Sequence, residues 1–141
     1  MEGKGRITGH TGLLALIGSP VGHSGSPAMY NYSFEKLGLD YAYVAFDIKV
    51  EEVKAALDAM RLFHMRGCNV TMPCKTEAAK YMDELSPAAR IIGAVNTIVN
   101  EDGKLIGHMT DGEGFVGNLR DHGIEIKGKK ITVAGGGGAA T

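Results

Sequence analysis

The chain has 141 residues, 15 Lys+Arg against 16 Asp+Glu and a formal net charge of -1, a balance that argues against a dedicated nucleic-acid or anionic-membrane binder. No apolar run approaches the roughly 18 residues of a membrane span, and two cysteines, Cys68 and Cys74, are too few for a disulfide framework or a four-ligand zinc site, so a reducing cytoplasm fits best. The length suits one modest domain, or one domain plus a fragment of a second, and 44% hydrophobic residues can build its core.

Residues 13–17 form a short apolar run ending at Gly18-Ser19-Pro20, which reads as a buried strand stopping in a loop. Ser26-Pro27 then gives a helix start, with Ser26 as N-cap, and Gly38 gives its stop. Met29, Tyr30, Phe34 and Leu37 share roughly one face of that helix. A second strand is expected over 41–46. Val53, Leu57, Met60 and His64 recur at helical spacing. A strand over 67–70 and a helix over 77–82 follow, and Ser86-Pro87 repeats the cap-then-proline start. Residues 95–99 and 105–108 make a hairpin about Asp102-Gly103. A helix over 112–122 stops at Gly123, and a last strand over 130–134 runs into four glycines. The pattern predicts an α/β fold: a mostly parallel sheet with an antiparallel hairpin and helices on both faces. A terminal strand cannot bury its own faces, so the end of the chain reads as the cut-off start of a Rossmann domain.

Candidate site residues fall at five places, four of them polar. Gly135, Gly137 and Ala140 fit G-x-G-x-x-[GA], a pattern that lets backbone approach a pyrophosphate, although four glycines also suit a flexible loop. Asn69, Thr71 and Lys75 put an amide, a hydroxyl and an ammonium in one strand-end loop, where open α/β sheets bind ligands. Asn96-Thr97 adds a second amide and hydroxyl. Asp111 stands before a helix, where its default role is N-cap. Ser24 and Ser26 beside a helix start suit a carboxylate, or simple capping. His10, His64, His108 and His122 have no metal-ligand spacing, so no metal is expected. Cys68 reads as core, and Cys74 beside Lys75 is a candidate for a lowered thiol pKa.

Taken together these stretches resemble the shikimate dehydrogenase family along nearly the whole chain: GSPVGHSGSPAMYN (18–31), GCNVTMPCK (67–75), GAVNTIV (93–99), GHMTDGEGF (107–115) and VAGGGGAAT (133–141). The resemblance implies reversible NADPH-dependent reduction of 3-dehydroshikimate to shikimate, on the route to chorismate and aromatic amino acids. It implies a catalytic pair, Lys75 and Asp111, with Ser24 and Ser26 on the substrate carboxylate and Asn69, Thr71 and Asn96 on ring hydroxyls. Residues 1–110 would be the shikimate-binding catalytic domain. Residues 111–141 would be a connecting helix, strand and glycine-rich turn of a nucleotide domain, with Gly135, Gly137, Gly138, Ala139 and Ala140 at the cofactor.

The implied cofactor is NADP, with NAD as the alternative. The implied partner is a small-molecule substrate, bound by a monomer or homodimer. Two positions depart from the family: Cys74 stands where many members have His, and Met109 where Asn is usual, which removes an amide from beside Asp111. No hydride transfer is expected from these 141 residues alone. The competing readings are a quinate/shikimate dehydrogenase using NAD or NADP, and a non-catalytic shikimate-binding module.

Overall fold

Successive side chains of a strand point to opposite faces, and the first strand uses both. In the computed structural model, which describes residues 7–136, β1 is Gly12–Gly18. Leu13, Ala15 and Ile17 enter the larger of two cores, and Leu14 and Leu16 enter the smaller.

On the smaller side lies α1 (Ser26–Leu37), which stops at Gly38 with φ 67 as expected. Its start differs from the expectation. Gly25 is the N-cap, no side chain caps the helix, and Ser26 is already helical. The buried face is also narrower than predicted: Tyr30 and Phe34 are the rings of α1 that pack on β2 (Tyr41–Asp47). Phe34 is buried, while Met29 and Leu37 are 56% and 70% exposed. Asn31 ties the helix down: its Nδ2 donates to the Tyr43 carbonyl at 2.7 Å, and its Oδ1 accepts the Tyr43 N–H at 3.0 Å. It thus satisfies backbone groups of a strand that, among the described residues, lies at the edge of the sheet.

The larger core covers the other face. A 3-10 turn, Val50–Glu52, leads into α2 (Val53–Leu62). Val53, Leu57 and Met60 are buried as their spacing requires, whereas His64 falls beyond the helix at φ 50. β3 (Gly67–Val70) matches its predicted limits. α3 (Lys75–Ala79) starts two residues early, so Lys75 opens a helix instead of lying in a loop. β4 (Glu84–Leu85) has only two residues and leaves no periodic signal. Ser86 caps α4 (Pro87–Ile92) as predicted, accepting the Ala89 N–H at 3.3 Å. The hairpin forms from β5 (Thr97–Glu101) and β6 (Lys104–His108).

The sheet order is β2-β1-β3-β5-β6-β4. β1 pairs in parallel with β2 and β3, and β4 with β6. The antiparallel part is larger than the hairpin, because β5 also runs against β3. α1 lies on one face and α2, α3 and α4 on the other.

α5 (Asp111–Asp121) follows, buries none of its residues, and gives way to Gly123 at φ 74. The strand predicted over 130–134 does not form. Ile131 and Val133 are 64% and 71% exposed, and among the described residues that segment has no ladder partner. Apolar alternation without a neighbouring strand cannot satisfy the backbone. Gly137, Gly138, Ala139 and Ala140 lie outside the described residues. Among the described residues no helix is long and apolar enough to cross a membrane.

Candidate active site

The topology puts the polar motifs at one end of the sheet. β1 and β3 are parallel, and β6 is antiparallel to β5, which is antiparallel to β3, so β1, β3 and β6 end on the same side. The β1–α1 connection carries Ser24, α1 opens with Ser26, the β3–α3 connection carries Thr71, and α3 opens with Lys75. Asn96 precedes β5 there, and Asp111 opens α5 just after β6. In open α/β sheets the carboxyl ends of strands are where ligands bind.

Lys75 and Asp111, 36 positions apart, meet as an ion pair with Nζ to Oδ2 at 2.5 Å. Their side chains are 19% and 45% exposed, so the pair is partly withdrawn from water and open on one side. Asn96 holds the other carboxylate oxygen, with Nδ2 donating to Oδ1 at 2.6 Å. Its Oδ1 accepts the Thr110 backbone N–H at 3.1 Å, which fixes the approach to Asp111. The Val95 N–H donates to the Lys75 carbonyl at 3.1 Å, so the start of α3 and the segment before β5 move together.

Asp111 is therefore no N-cap. Thr110 occupies that position, without a capping side chain, and the carboxylate turns toward Lys75 and Asn96. The missing amide at Met109 is also accounted for. Met109 is 6% exposed and packs into the larger core, while Asn96 supplies an amide to Asp111.

Cys74 reverses its expectation. It is fully buried, with Sγ toward the Ile48 carbonyl, and burial together with Glu51 and Glu52 pushes its thiol pKa up. Cys68 is core as expected, its thiol pushed up to about 12 by burial. Both thiols stay protonated and poorly nucleophilic near neutral pH.

The remaining expected residues make contacts of their own. Asn69 donates from Nδ2 to the Asn96 carbonyl at 3.4 Å and to Thr97 Oγ1 at 3.2 Å. Thr71 sits beside β1, its N–H bonded to the Ile17 carbonyl at 2.9 Å. Ser24 Oγ accepts the Ser26 N–H at 3.2 Å, so the two serines bond to each other and not to the pair. Gly135 is exposed at φ 101, with open space where a Cβ would stand. Two residues escaped the sequence reading. Thr110 stood inside the Thr-Asp-Gly motif but carried no signal of its own. Tyr43, which donates to Asn69 Oδ1 at 2.8 Å, carried none, because the contact crosses a strand. Among the described residues no group of three or more His, Cys, Asp or Glu could hold a metal ion.

Burial pushes the Asp111 carboxyl pKa up, but hydrogen bonds from Lys75 and Asn96 and the Lys75 charge outweigh it, leaving the pKa lowered. A group with a lowered folded pKa contributes stability above the ordinary carboxylate range and loses it as pH falls through the lowered value. Carboxyl-carbon NMR should find Asp111 titrating below the ~3.9 of a free aspartate. In Lys75→Met the value should rise, because burial then opposes Asn96 alone. A titration indifferent to that substitution would mean that the ammonium does not lie against the carboxylate.

An open α/β sheet that gathers an ion-paired lysine and aspartate with two amides at its strand ends has its polar side chains where such sheets bind small molecules. Residues 16–98 match the family model for the shikimate dehydrogenase substrate binding domain, and the chain belongs to that family. It is 54% identical over 136 residues to "Shikimate dehydrogenase (NADP(+))" of Listeria monocytogenes serotype 4b, covering 96% of this chain and 47% of the relative. Among solved structures it is similar to shikimate 5-dehydrogenase from Listeria monocytogenes in complex with shikimate and NAD, with TM-score 0.91, 54% identity and coverage of 96% and 47%. A shikimate dehydrogenase in complex with NADP+ gives TM-score 0.91 at 47% identity, covering 95% of this chain and 47% of that one. The chain thus spans about half the length of the relatives it matches.

Proposed function

We propose that this chain is the substrate-binding and proton-transfer half of an NADP-dependent shikimate dehydrogenase, acting in the cytoplasm on 3-dehydroshikimate and shikimate. The observation that carries the reading is the Lys75–Asp111 pair, clamped by Asn96 at the ligand-binding end of the sheet, in a chain of this family. Residues 1–110 form the substrate domain, and the division after 110 is supported by α5, which buries none of its residues.

Reduction of a ketone adds a hydride to carbon and builds negative charge on oxygen, so a proton donor must stand within hydrogen-bond reach. The reduced cofactor, NADPH, would supply the hydride when bound. Lys75 gives its proton to the oxygen and, in the reverse direction, takes the proton of the alcohol. Asp111 orients the ammonium and holds it near the substrate. Ser24 and Ser26 take the substrate carboxylate, and Asn69 and Thr71 address ring hydroxyls. Asn96 donates to both Asp111 and Thr110 and accepts from Thr110, so its main share is to hold the carboxylate. Of the glycine-rich turn, only Gly135 and Gly136 lie among the described residues, and they alone make no nucleotide cradle, so no step here depends on one.

The test has two arms. Calorimetry should detect shikimate binding to this chain, and the complete gene product should reduce NADP in the presence of shikimate. Binding without turnover would favour a non-catalytic module. Faster turnover with quinate, or with NAD, would favour the quinate/shikimate enzymes. Absence of binding in both proteins would defeat the reading.

A further inference from the structure

We propose that Tyr43 is a positioning residue for Asn69, reaching across a strand to fix which end of that amide faces the ligand. The inference rests on the substrate-binding role proposed for Asn69. β1 separates the two, since Leu14 pairs with both Tyr43 and Gly67, and Leu16 pairs with Asn69. The Tyr43 side chain crosses β1 and its hydroxyl meets Asn69 Oδ1 at 2.8 Å.

The amide of an asparagine is nearly symmetric in shape, so a half-turn exchanges donor and acceptor with little steric penalty. Three contacts decide its orientation here. The Asn96 carbonyl can only accept, so Nδ2 must face it, at 3.4 Å. Thr97 Oγ1, at 3.2 Å, is compatible with either orientation. The shortest of the three is the Tyr43 hydroxyl, which must then donate to Oδ1. Burial first, then Tyr30 and Cys68, pushes the Tyr43 pKa upward, so the hydroxyl stays a donor across any working pH.

The tyrosine is itself held in place. It is 3% exposed, its ring stacks on Tyr30 with centroids 4.5 Å apart, and Asn31 grips its backbone on both polar groups. With both Nδ2 hydrogens turned toward Asn96 and Thr97, Asn69 keeps an acceptor lone pair on Oδ1. The trough of about 210 Å³ that Asn69 lines with Tyr43, Thr97 and Arg66 does not include Lys75 or Asp111, so it is the role proposed for Asn69 that directs this lone pair to the ligand. The ligand group it suits is a hydroxyl that donates.

The test removes one oxygen. Tyr43→Phe keeps the ring stack, and shikimate binding to this chain, followed by calorimetry, should weaken about 3- to 10-fold for a lost orienting hydrogen bond. In an Asn69→Ala background the same substitution should change binding less than about twofold, because the coupling partner is gone. Tyr32→Phe, at an exposed position of α1, should leave binding unchanged. A purely structural Tyr43 would weaken binding by the same factor in both backgrounds, and that result overturns the proposal. A ligand-free readout separates it from the functional reading. The Asn69 side-chain amide protons should give two sharp NMR signals that broaden in Tyr43→Phe. If shikimate does not bind, the functional reading fails while this signal still decides the positioning role, and unchanged signals reject it. Should the variant not fold, the unmutated chain gives the answer: a slowly exchanging Tyr43 hydroxyl proton with a nuclear Overhauser contact to Asn69 supports the role, and rapid exchange refutes it.

Discussion

Lys75→Ala in the complete enzyme should lower turnover by about 10²–10⁴-fold, the usual worth of a positioned proton donor, while shikimate affinity falls far less. The ketone oxygen is a weak acceptor in the ground state and a strong one once hydride arrives, so the ammonium matters most at the transition state. Geometry supports the assignment. Asp111 takes the lysine from one side at 2.5 Å, the Lys75 side chain is 19% exposed, and the Asn96 clamp limits where Asp111 can move. The substitution also leaves Asp111 partly buried without its cation, so its pKa should rise. Stopped-flow measurement of NADP reduction with saturating shikimate, beside a direct binding titration, separates the two effects. An unchanged turnover number would remove Lys75 from the chemistry. Lost affinity with turnover at saturation unchanged would make it a binding residue only.

How much of this was legible beforehand follows a physical divide. β1, β2, β3 and the β5–β6 hairpin were readable because apolar runs bounded by Gly, Pro and Asp-Gly are local signals. The Ser86 cap was readable for the same reason, yet the identical Ser26-Pro27 pattern failed, because the Gly25 carbonyl accepts the Met29 N–H and the helix starts at Ser26. What sequence cannot carry is register. The β3–β5 pairing joins residues about thirty apart and puts Asn69 opposite Thr97, and nothing in either strand announces it. The same holds for the site. Lys75 and Asp111 were legible as a family motif, whereas the Asn96 clamp and the reach of Tyr43 depend on strand order. Cys74 shows the limit of neighbour-based electrostatics: Lys75 adjoins it in sequence, but the thiol points into the core beside Ile48. The 130–134 segment shows the limit of pattern alone, since apolar alternation without a partner strand stays exposed.

Gly18→Ala should destabilise the chain by about 2–4 kcal/mol, combining backbone strain with overpacking. Gly18 ends β1 at φ 150, a conformation open to glycine, and an added Cβ would stand 2.8 Å from the Met72 backbone oxygen. That oxygen cannot simply rotate away. It accepts the Ser19 N–H at 2.9 Å, and the Thr71 N–H bonds back to the Ile17 carbonyl at 2.9 Å, so the two connections are laced together at this point. Relief therefore requires moving the loop that leads to Lys75, and a displacement on the order of 1 Å there can cost about 10²-fold in catalysis. Gly38 provides the control. It sits at φ 67 with nothing within 4 Å of an added Cβ, so Gly38→Ala should cost only the left-handed backbone penalty of about 1–2 kcal/mol and leave shikimate binding intact. Urea unfolding of both variants, paired with shikimate titration, distinguishes backbone strain from the close approach. Equal losses of stability with unimpaired binding in both would mean that the β1 and β3 connections do not constrain one another. A larger loss at Gly18 accompanied by weakened binding is what their packing demands, because the turn that fits no side chain is also the one that sets the distance between the serine loop and the lysine loop.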